Sequence, residues 1–320
     1  MGASAGGVEV LLAVVRDLPR ELDAAVCVVL HISATGRSLL ADILARSSRL
    51  PVVMASDGAA IERGTVYVAT ADHHLLIRRG HIELSRGPKE NRVRPAVDPL
   101  LRSLAASWGR RGIAVVLSGG LDDGSAGAAA VVAAGGRLVV QDPDEAVARG
   151  MPTSAIAAAE PDAILPTAEI ARQLIRMTAT PNPDQPQEGD MSSEPDPAQH
   201  LASVNRPEGP PSGFTCPECR GPLWEIHEGE AVRYRCRVGH AYSEQSMIEA
   251  QGDSVETALW TALEVLQERS ELLTRIADRL DERGPRKDQH FRERARHAAE
   301  RAEVIRRALA IGDAPAEETG

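Results

Sequence analysis

Three short runs of apolar residues constrain the fold of this chain more than any other feature of its sequence. The runs cover residues 24–30, 112–117 and 137–141, and helix-like segments lie between them. Continuous apolar runs of this length are typical of strands that are buried on both faces of a parallel sheet. Because strands alternate with helices, we predict a doubly wound, mostly parallel α/β sheet.

Three chemically compatible side chains follow segments of this kind. Ser4 lies in the glycine-rich turn Met1–Gly7, His31 ends the first apolar run, and Asp123 follows the second. Ligands of such Rossmann-like sheets bind beyond the carboxyl ends of the strands. A serine becomes a nucleophile when a base takes its proton and an acid orients that base. We therefore predict a catalytic triad of Ser4, His31 and Asp123.

Each of these residues also has a simpler interpretation when it is taken alone. The segment 2–6 fits the pattern G-x-S-x-G, but so do many glycine-rich connectors. His31 is equally acceptable as a residue at the end of a strand. Asp123 is acceptable as the N-cap of the helix that begins after Gly124. Only the combination of the three favours nucleophilic catalysis.

Composition and charge exclude several classes of function. No apolar run reaches the roughly 18 residues that span a bilayer, and no signal-peptide pattern opens the sequence, so we predict a cytoplasmic protein without membrane insertion. The net charge is −10, and residues 1–178 hold 19 basic and 19 acidic side chains, so the excess negative charge lies after them. This distribution argues against nucleic acid as a partner.

Five short motifs carry a resemblance to a known family. They are Gly2-Ala3-Ser4-Ala5-Gly6-Gly7, Leu30-His31, Arg94-Pro95-Ala96-Val97-Asp98, Leu117-Ser118-Gly119-Gly120-Leu121-Asp122-Asp123-Gly124 and Gly150-Met151-Pro152. Through them, residues 2–178 resemble the catalytic domain of CheB-type chemotaxis protein-glutamate methylesterases. The chain order serine, histidine, aspartate also differs from the serine, acid, histidine order of α/β-hydrolases.

The resemblance implies hydrolysis of glutamyl methyl esters on the cytoplasmic helices of methyl-accepting chemotaxis receptors, with no catalytic cofactor. Ser4 would attack the ester carbonyl, His31 would act as base and then acid, and Asp123 would orient His31. The backbone N–H groups of Ala5 and Gly120 would form the oxyanion hole. Members of the family also deamidate receptor glutamines. Two alternatives stay open, namely a non-catalytic signalling scaffold and a serine hydrolase that acts on another protein ester.

The sequence departs from the family pattern in three places. The family usually has an apolar strand before the serine motif, whereas only Met1 precedes it here, so we hypothesise that the true start lies upstream. Many members carry a receiver domain ahead of the esterase domain, and we expect the C-terminal tail to replace it as a docking or regulatory element. Gly120 and Leu121 stand where the family commonly has methionine and glycine, and we expect Leu121 to reshape the pocket.

The C-terminal half divides into three predicted segments after a catalytic domain at 1–178. Residues 179–212 contain eight prolines in 34 positions and predict a disordered linker. A zinc-ribbon-like module is predicted at 213–250 and an α-helical hairpin at 254–311.

Cysteine and histidine spacing in the module predicts a structural metal site. Cys216, Cys219, Cys236 and His240 form a C-x2-C, x16, C-x3-H arrangement, which suits tetrahedral Zn2+ with no open position. His227 is a rival for the fourth ligand, and a cluster of reduced thiols without metal is the alternative.

The predicted hairpin shows alternating spacings of four and three between apolar or small residues. These positions are Leu259, Leu263, Leu266, Ser270, Leu273, Ala277 and Leu280, followed by Phe291, Ala295, Ala298, Ala302, Ile305 and Leu309. The pattern predicts two helices that pack as a coiled-coil-like pair. Their outer surface is a candidate for self-association or receptor docking.

Overall fold

The computed structural model of the protein describes residues 1–32, 38–179, 209–228, 231–281 and 288–312. The chain divides into two compact units, Met1–Met247 and Ile248–Gly320. Most of the predicted linker, residues 180–208, lies outside the described residues.

Seven parallel strands form the central sheet of the first unit. In chain order they are β1 (Gly2–Ala3), β2 (Val26–Leu30), β3 (Val52–Met54), β4 (Val66–Val68), β7 (Ile113–Val116), β8 (Arg137–Gln141) and β9 (Ala163–Leu165), with an antiparallel hairpin of β5 (His74–Arg78) and β6 (His81–Ser85) between β4 and β7. The spatial order of the sheet is β3-β4-β2-β1-β7-β8-β9. The predicted parallel sheet is confirmed.

Among the described residues of 1–179, six α-helices cover the two faces of this sheet. They are α1 (Gly7–Asp17), α2 (Leu40–Ala45), α3 (Val97–Trp108), α4 (Ser125–Ala133), α5 (Gly150–Ala158) and α6 (Thr167–Ala179). Buried residues of α1, α2 and α6 share one apolar core, and those of α3, α4 and α5 share the other. Cores on both faces explain why the central strands are apolar throughout, and they make the sheet doubly wound.

The strand order reverses at β1, and this reversal positions the site. From β1 the chain winds through β2 towards β3, and it later returns through α3 to β7 on the other side of β1. The connections that follow β1 and β7 therefore diverge, which leaves a crevice at the carboxyl edge of the sheet. Ser4 follows β1 directly, and the loop 117–124 follows β7.

The first strand is short but central. Gly2 pairs with Val29 of β2 and with Val116 of β7, and Ala3 pairs with Leu30. The peptide N–H of Val29 also donates to the carbonyl of Met1 at 2.9 Å. A two-residue strand carries no hydrophobic period, so the sequence did not indicate it.

Residues 211–243, here called the Cys/His module, form a second sheet within the first unit. Its four antiparallel strands, in spatial order, are β10 (Pro211–Thr215), β11 (Pro222–Glu228), β12 (Ala231–Cys236) and β13 (Ala241–Ser243). Strand β10 begins two residues before the predicted start of the module at 213. The predicted boundaries of the catalytic domain, linker, module and hairpin otherwise stay predictions.

Two helices, α7 (Glu244–Asp281) and α8 (Gln289–Gly312), follow the module. Within the second unit they pack as the predicted hairpin. The hydroxyl of Ser270 donates to the carbonyl of Ala295 at 2.9 Å across the helix pair. Six positions of the predicted pattern are buried: Leu263, Leu273, Ala277, Ala295, Ala298 and Ala302. Among the described residues, no helix has both the length and the hydropathy needed to cross a bilayer.

Candidate active site

Ser4 occupies the tight turn that joins β1 to α1. Its N–H donates to the carbonyl of Ser118 at 2.8 Å, and its carbonyl accepts from the N–H of Gly7 at 2.9 Å. Gly6 adopts the left-handed conformation at a φ of 73°, which closes the turn before the helix begins. The turn thus holds the hydroxyl of Ser4 at the carboxyl edge of the sheet and beside a helix N-terminus.

A buried serine from the loop after β7 fixes this turn. The hydroxyl of Ser118 donates to the carbonyl of Ala5 at 2.7 Å and accepts from the N–H of Ala148 at 3.0 Å. The N–H of Ser118 in turn donates to Oε1 of Gln141 at 2.8 Å. Sequence reasoning assigned no role to Ser118 or Gln141. Their signal was a polar side chain at or just after the end of a fully apolar strand.

His31 and Asp123, both predicted as site residues, form a direct pair. The ring Nε2 of His31 lies 2.7 Å from Oδ2 of Asp123, and the two side chains are 14% and 3% exposed. The backbone N–H of His31 donates to the carbonyl of Ala3 at 3.1 Å, so the histidine is anchored beside the Ser4 turn. Because Nε2 faces Asp123, Nδ1 is the ring nitrogen that this pair leaves open.

Three further donors hold the carboxylate of Asp123. It accepts from Nδ2 of Asn91 at 3.0 Å and from the N–H groups of Val97 and Asp98 at 2.6 Å and 3.1 Å. Burial disfavours its charge, but the hydrogen bond and charge of His31 together with these donors hold the pKa of Asp123 below its usual value. Asp123 is therefore an oriented anion against the N-terminus of α3.

Asp98 and Asp123 each cap a helix next to the other. Asp123 caps α3, which carries Asp98, and Asp98 caps α4, which follows Asp123. Asp98 lies in the first turn of α3 and accepts from the N–H groups of Gly124 and Gly127, at 3.0 Å and 2.7 Å, at the start of α4. Burial and the neighbouring Asp123 raise the pKa of Asp98 to about 6. The interpretation of Asp123 as the cap of its own following helix is thus wrong, because Asp98 takes that position.

The two predicted oxyanion donors lie at the exposed edge of the site. Ala5 follows Ser4 directly. Gly120 follows Gly119, and the backbone of Gly119 is so close to Ser4 that a Cβ added to Gly119 would lie 2.9 Å from Cβ of Ser4. Within the described part of the chain, neither the N–H of Ala5 nor that of Gly120 donates a hydrogen bond. Both are therefore available to an anion that forms on an attacked carbonyl.

Leu121 adopts a backbone conformation that favours glycine. Its φ is 59°. The backbone of Gly150 packs against Leu121 so closely that a Cβ added to Gly150 would lie 2.6 Å from the nitrogen of Leu121. This geometry gives a physical reason for a glycine at this position, which the resemblance identified as the family's usual residue.

The Cys/His module brings together the four predicted metal-binding side chains. The sulfur atoms of Cys219 and Cys236 are 3.6 Å apart, and Nδ1 of His240 lies 3.7 Å from Sγ of Cys216 and 3.6 Å from Sγ of Cys236. All four donor atoms lie within 4.8 Å of one another. Zn–S bonds of about 2.3 Å place tetrahedral sulfur ligands about 3.8 Å apart, so the donor set fits Zn2+.

His227 lies apart from this cluster. It sits on β11 with its side chain 60% exposed, and its Nε2 is 3.1 Å from a carboxylate oxygen of Glu225. The geometry therefore joins His240, and not His227, to the three sulfur atoms.

Comparison with known proteins decides the family. The sequence profile described as CheB methylesterase matches residues 1–174. The chain belongs to the CheB methylesterase family. A solved structure, the Thermotoga maritima CheB methylesterase catalytic domain, is 36% identical and superposes with a TM-score of 0.53 over 55% of this chain and 95% of that one.

Two curated CheB relatives show the extent of the likeness. The protein-glutamate methylesterase/protein-glutamine glutaminase 1 of Paramagnetospirillum magneticum is 38% identical over 184 residues, which are 56% of this chain and 48% of that protein. The corresponding enzyme 3 of Burkholderia orbicola is 37% identical over 185 residues, which are 58% and 55% of the two chains. The chain thus spans about half the length of the curated relatives it matches, and the Cys/His module lies beyond the family profile.

Proposed function

We propose that this protein hydrolyses glutamyl methyl esters through Ser4, His31 and Asp123. The observation that carries the proposal is the 2.7 Å pair of His31 and Asp123 beside the turn that presents Ser4. Family membership supports the same reaction, because the similar curated proteins are named protein-glutamate methylesterases.

In the proposed reaction the hydroxyl of Ser4 attacks the ester carbonyl while Nδ1 of His31 takes its proton. The N–H groups of Ala5 and Gly120 stabilise the tetrahedral oxyanion. Collapse of the intermediate expels methanol, which receives the proton from His31, and leaves an ester between Ser4 and the glutamyl group. Water, deprotonated by His31, then hydrolyses this ester and restores the carboxylate. Asp123 holds the histidine and stabilises its charged form throughout.

We place this reaction in the cytoplasm, on the cytoplasmic helices of chemotaxis receptors. An amide passes through a similar tetrahedral intermediate, with ammonia as leaving group, so glutamine deamidation belongs to the same proposal. The relatives' names include protein-glutamine glutaminase, which supports it. No catalytic cofactor is needed, because serine, histidine and aspartate supply the nucleophile and the proton transfers.

The C-terminal segments take supporting roles in this proposal. Cys216, Cys219, Cys236 and His240 would hold a structural Zn2+, whose role is to fold a small sheet that has little apolar core of its own. The segment between α6 and β10 tethers the module. The helical hairpin provides a surface for self-association or receptor docking.

The test is methanol release from methylated cytoplasmic fragments of a chemoreceptor. We expect the full chain to release methanol and the Ser4→Ala variant to release none above background. Ser47→Ala, which changes an exposed serine after α2, is the matched control and should keep full activity.

A fluorophosphonate probe, which phosphonylates activated serines with loss of fluoride, separates the alternatives. Labelling of Ser4 without methanol release from any receptor fragment would favour a hydrolase of another protein ester. A folded protein with neither labelling nor release would favour the scaffold and contradict the triad.

A further inference from the structure

One asparagine connects the triad aspartate to the Cys/His module. Asn91 is buried, and its Nδ2 donates to Oδ1 of Asp123 at 3.0 Å and to Oδ2 of Asp98 at 2.9 Å. Its Oδ1 accepts from the N–H of Ser243 at 3.2 Å and from the hydroxyl of Ser246 at 3.3 Å. Only this orientation of the amide serves both sides, since its donors must face the two carboxylates.

The backbone of the module holds the same asparagine from a second direction. The N–H of Asn91 donates to the carbonyl of Ala241 at 2.9 Å. The hydroxyl of Ser243 donates to Oδ1 of Asp122 at 2.8 Å and accepts from the N–H of Ser246 at 3.0 Å, as an N-cap of α7 does. The module thus contacts both the residue before Asp123 and the side chain that orients Asp123.

The module also supplies a buried positive charge to the acids around the triad. The side chain of Arg233 is 5% exposed, and its guanidinium lies 3.0 Å from Glu90 and 3.8 Å from Asp98. Burial opposes the charge of Glu90, yet Arg102 and Arg233 hold the pKa of Glu90 below its usual range. Without Arg233, part of the compensation for these buried carboxylates would be lost.

Arg233 and Ser243 lie on two neighbouring strands that are joined through Cys236 and His240, two of the four predicted metal ligands. Arg233 on β12 is paired in register with Ser243 on β13, and the turn between the strands carries Cys236 and His240. The N–H of Cys236 donates to the carbonyl of His240 at 3.0 Å, which closes that turn. A metal ion held there fixes the strand pair, and the strand pair fixes Asn91.

Resting on the esterase function proposed above, we propose that the metal-bound Cys/His module is a positioning element for the triad. Through Asn91, Ser243 and Arg233 it sets the orientation of Asp123, so the catalytic rate depends on the metal although no metal touches the substrate. The catalytic site is therefore completed by a segment that lies outside the family profile.

Variants of the contact residues test this proposal without disturbing the metal ligands. We expect Ser243→Ala and Arg233→Gln to lower kcat by roughly 10- to 100-fold, as loss of a supporting hydrogen bond does at other sites, with KM changed by less than about twofold. The rate of Ser4 labelling by a fluorophosphonate should fall in parallel. His227→Ala, on the exposed side of β11, is the control in the same module and should match the wild type.

A merely structural role would give a different pattern. Ser243→Thr keeps the hydroxyl and should restore kcat. If a residue that caps α7 but does not hydrogen-bond to Asp122 also restored kcat, this result would contradict the positioning role of Ser243. The low-field proton resonance between His31 and Asp123 should be present in the wild type and weakened by exchange in Ser243→Ala.

Metal removal provides the second arm. Stripping the full-length protein with a chelator should lower both kcat and the rate of Ser4 labelling, and added Zn2+ should restore both, with metal content followed by mass spectrometry. The proposal is overturned if folded, metal-loaded Ser243→Ala and Arg233→Gln keep the wild-type kcat and labelling rate. If labelling of Ser4 depends on the module but no methanol is released, the esterase proposal fails and the positioning role stands.

Discussion

Asp123 receives four hydrogen bonds, and its donors define what a substitution does. The donors are the ring of His31, the amide of Asn91 and two N–H groups at the start of α3. An asparagine would turn an N–H2 group against at least one of them. We expect Asp123→Asn to lower kcat by roughly 10³- to 10⁴-fold, measured as methanol release. A loss below tenfold in a folded protein would contradict its role in orienting His31.

The raised pKa of Asp98 makes the free energy of unfolding depend on pH in a direction that can be stated in advance. Burial and the nearby Asp123 raise the pKa of Asp98 to about 6, so the folded state binds a proton more tightly than the unfolded state. Between the unfolded pKa of about 4 and that value, stability falls as the pH rises, and it levels off above. Urea unfolding should show this slope in the wild type, and Asp98→Asn should reduce it. An equal slope in both proteins would contradict the assignment.

The predictable residues of the site were those that end a strand. His31 directly follows β2 and Asp123 lies in the loop after β7, so the predicted topology placed these two at one edge, whereas Ser4 was found from its glycine-rich motif. Asn91 had no such signal, and Ser118 also follows an apolar run but was given no role, because the roles of both depend on contacts between distant segments. Asn91 lies 32 positions from Asp123, and Ser118 lies 113 positions from Ala5.

At the scale of elements, the Ser4 turn depends on one glycine that cannot carry a side chain. Gly6 has a φ of 73°, and a Cβ there would lie 2.5 Å from Cβ of Val147. Gly58 has nearly the same φ of 75° with nothing within 4 Å, which makes it a matched control. We expect Gly58→Ala to cost about 1 kcal/mol and Gly6→Ala about 2–4 kcal/mol of unfolding free energy, the excess coming from the clash.

The catalytic activities of Gly6→Ala and Gly58→Ala should differ more than their stabilities do. Only Gly6→Ala displaces the Ser4 turn, so only Gly6→Ala should lose methanol release. Equal stability losses in urea unfolding would show that the turn relaxes around the added methyl group.

The helical hairpin offers adjacent leucines with opposite environments. Leu273 is buried at 6% exposure, whereas Leu272 is 56% exposed. We expect Leu273→Ala to lower the unfolding free energy of the second unit by about 2–4 kcal/mol and Leu272→Ala by less than about 0.5 kcal/mol. Thermal unfolding followed by helical circular dichroism measures both. Comparable losses would mean that the hairpin does not pack along the predicted seam.

Secondary structure was predictable where an element is buried on a complete face. The apolar runs gave β2, β7 and β8. Strands β3 and β9 lie at the two edges of the sheet, where Val53 and Ile164 are 41% and 46% exposed, and each has only three residues, which is too short for its apolar residues to indicate a strand. Helix α5 includes Pro152, which is tolerated because it lies in the first turn of the helix.

At the scale of the molecule, all described contacts to Asn91 come from the first unit. Ser243 and Ser246 precede the boundary at Met247, and Ala250, in the same first turns of α7, is also buried. We therefore expect a chain that ends at Gly252 to keep kcat within about twofold of the full protein on a receptor fragment. A larger loss of kcat would assign the helical hairpin a direct part in catalysis, whereas a rise in KM alone would support receptor docking.

The pairing of Arg233 with Glu90 makes the tail more than an appended module. Glu90 keeps Arg102 beside it, so loss of the tail would remove one of the two cations that hold this largely buried acid. It would also leave the side-chain oxygen of Asn91 without the two donors that Ser243 and Ser246 supply. Any other module exchanged into this position would therefore have to reproduce these contacts to preserve the stability of the catalytic half.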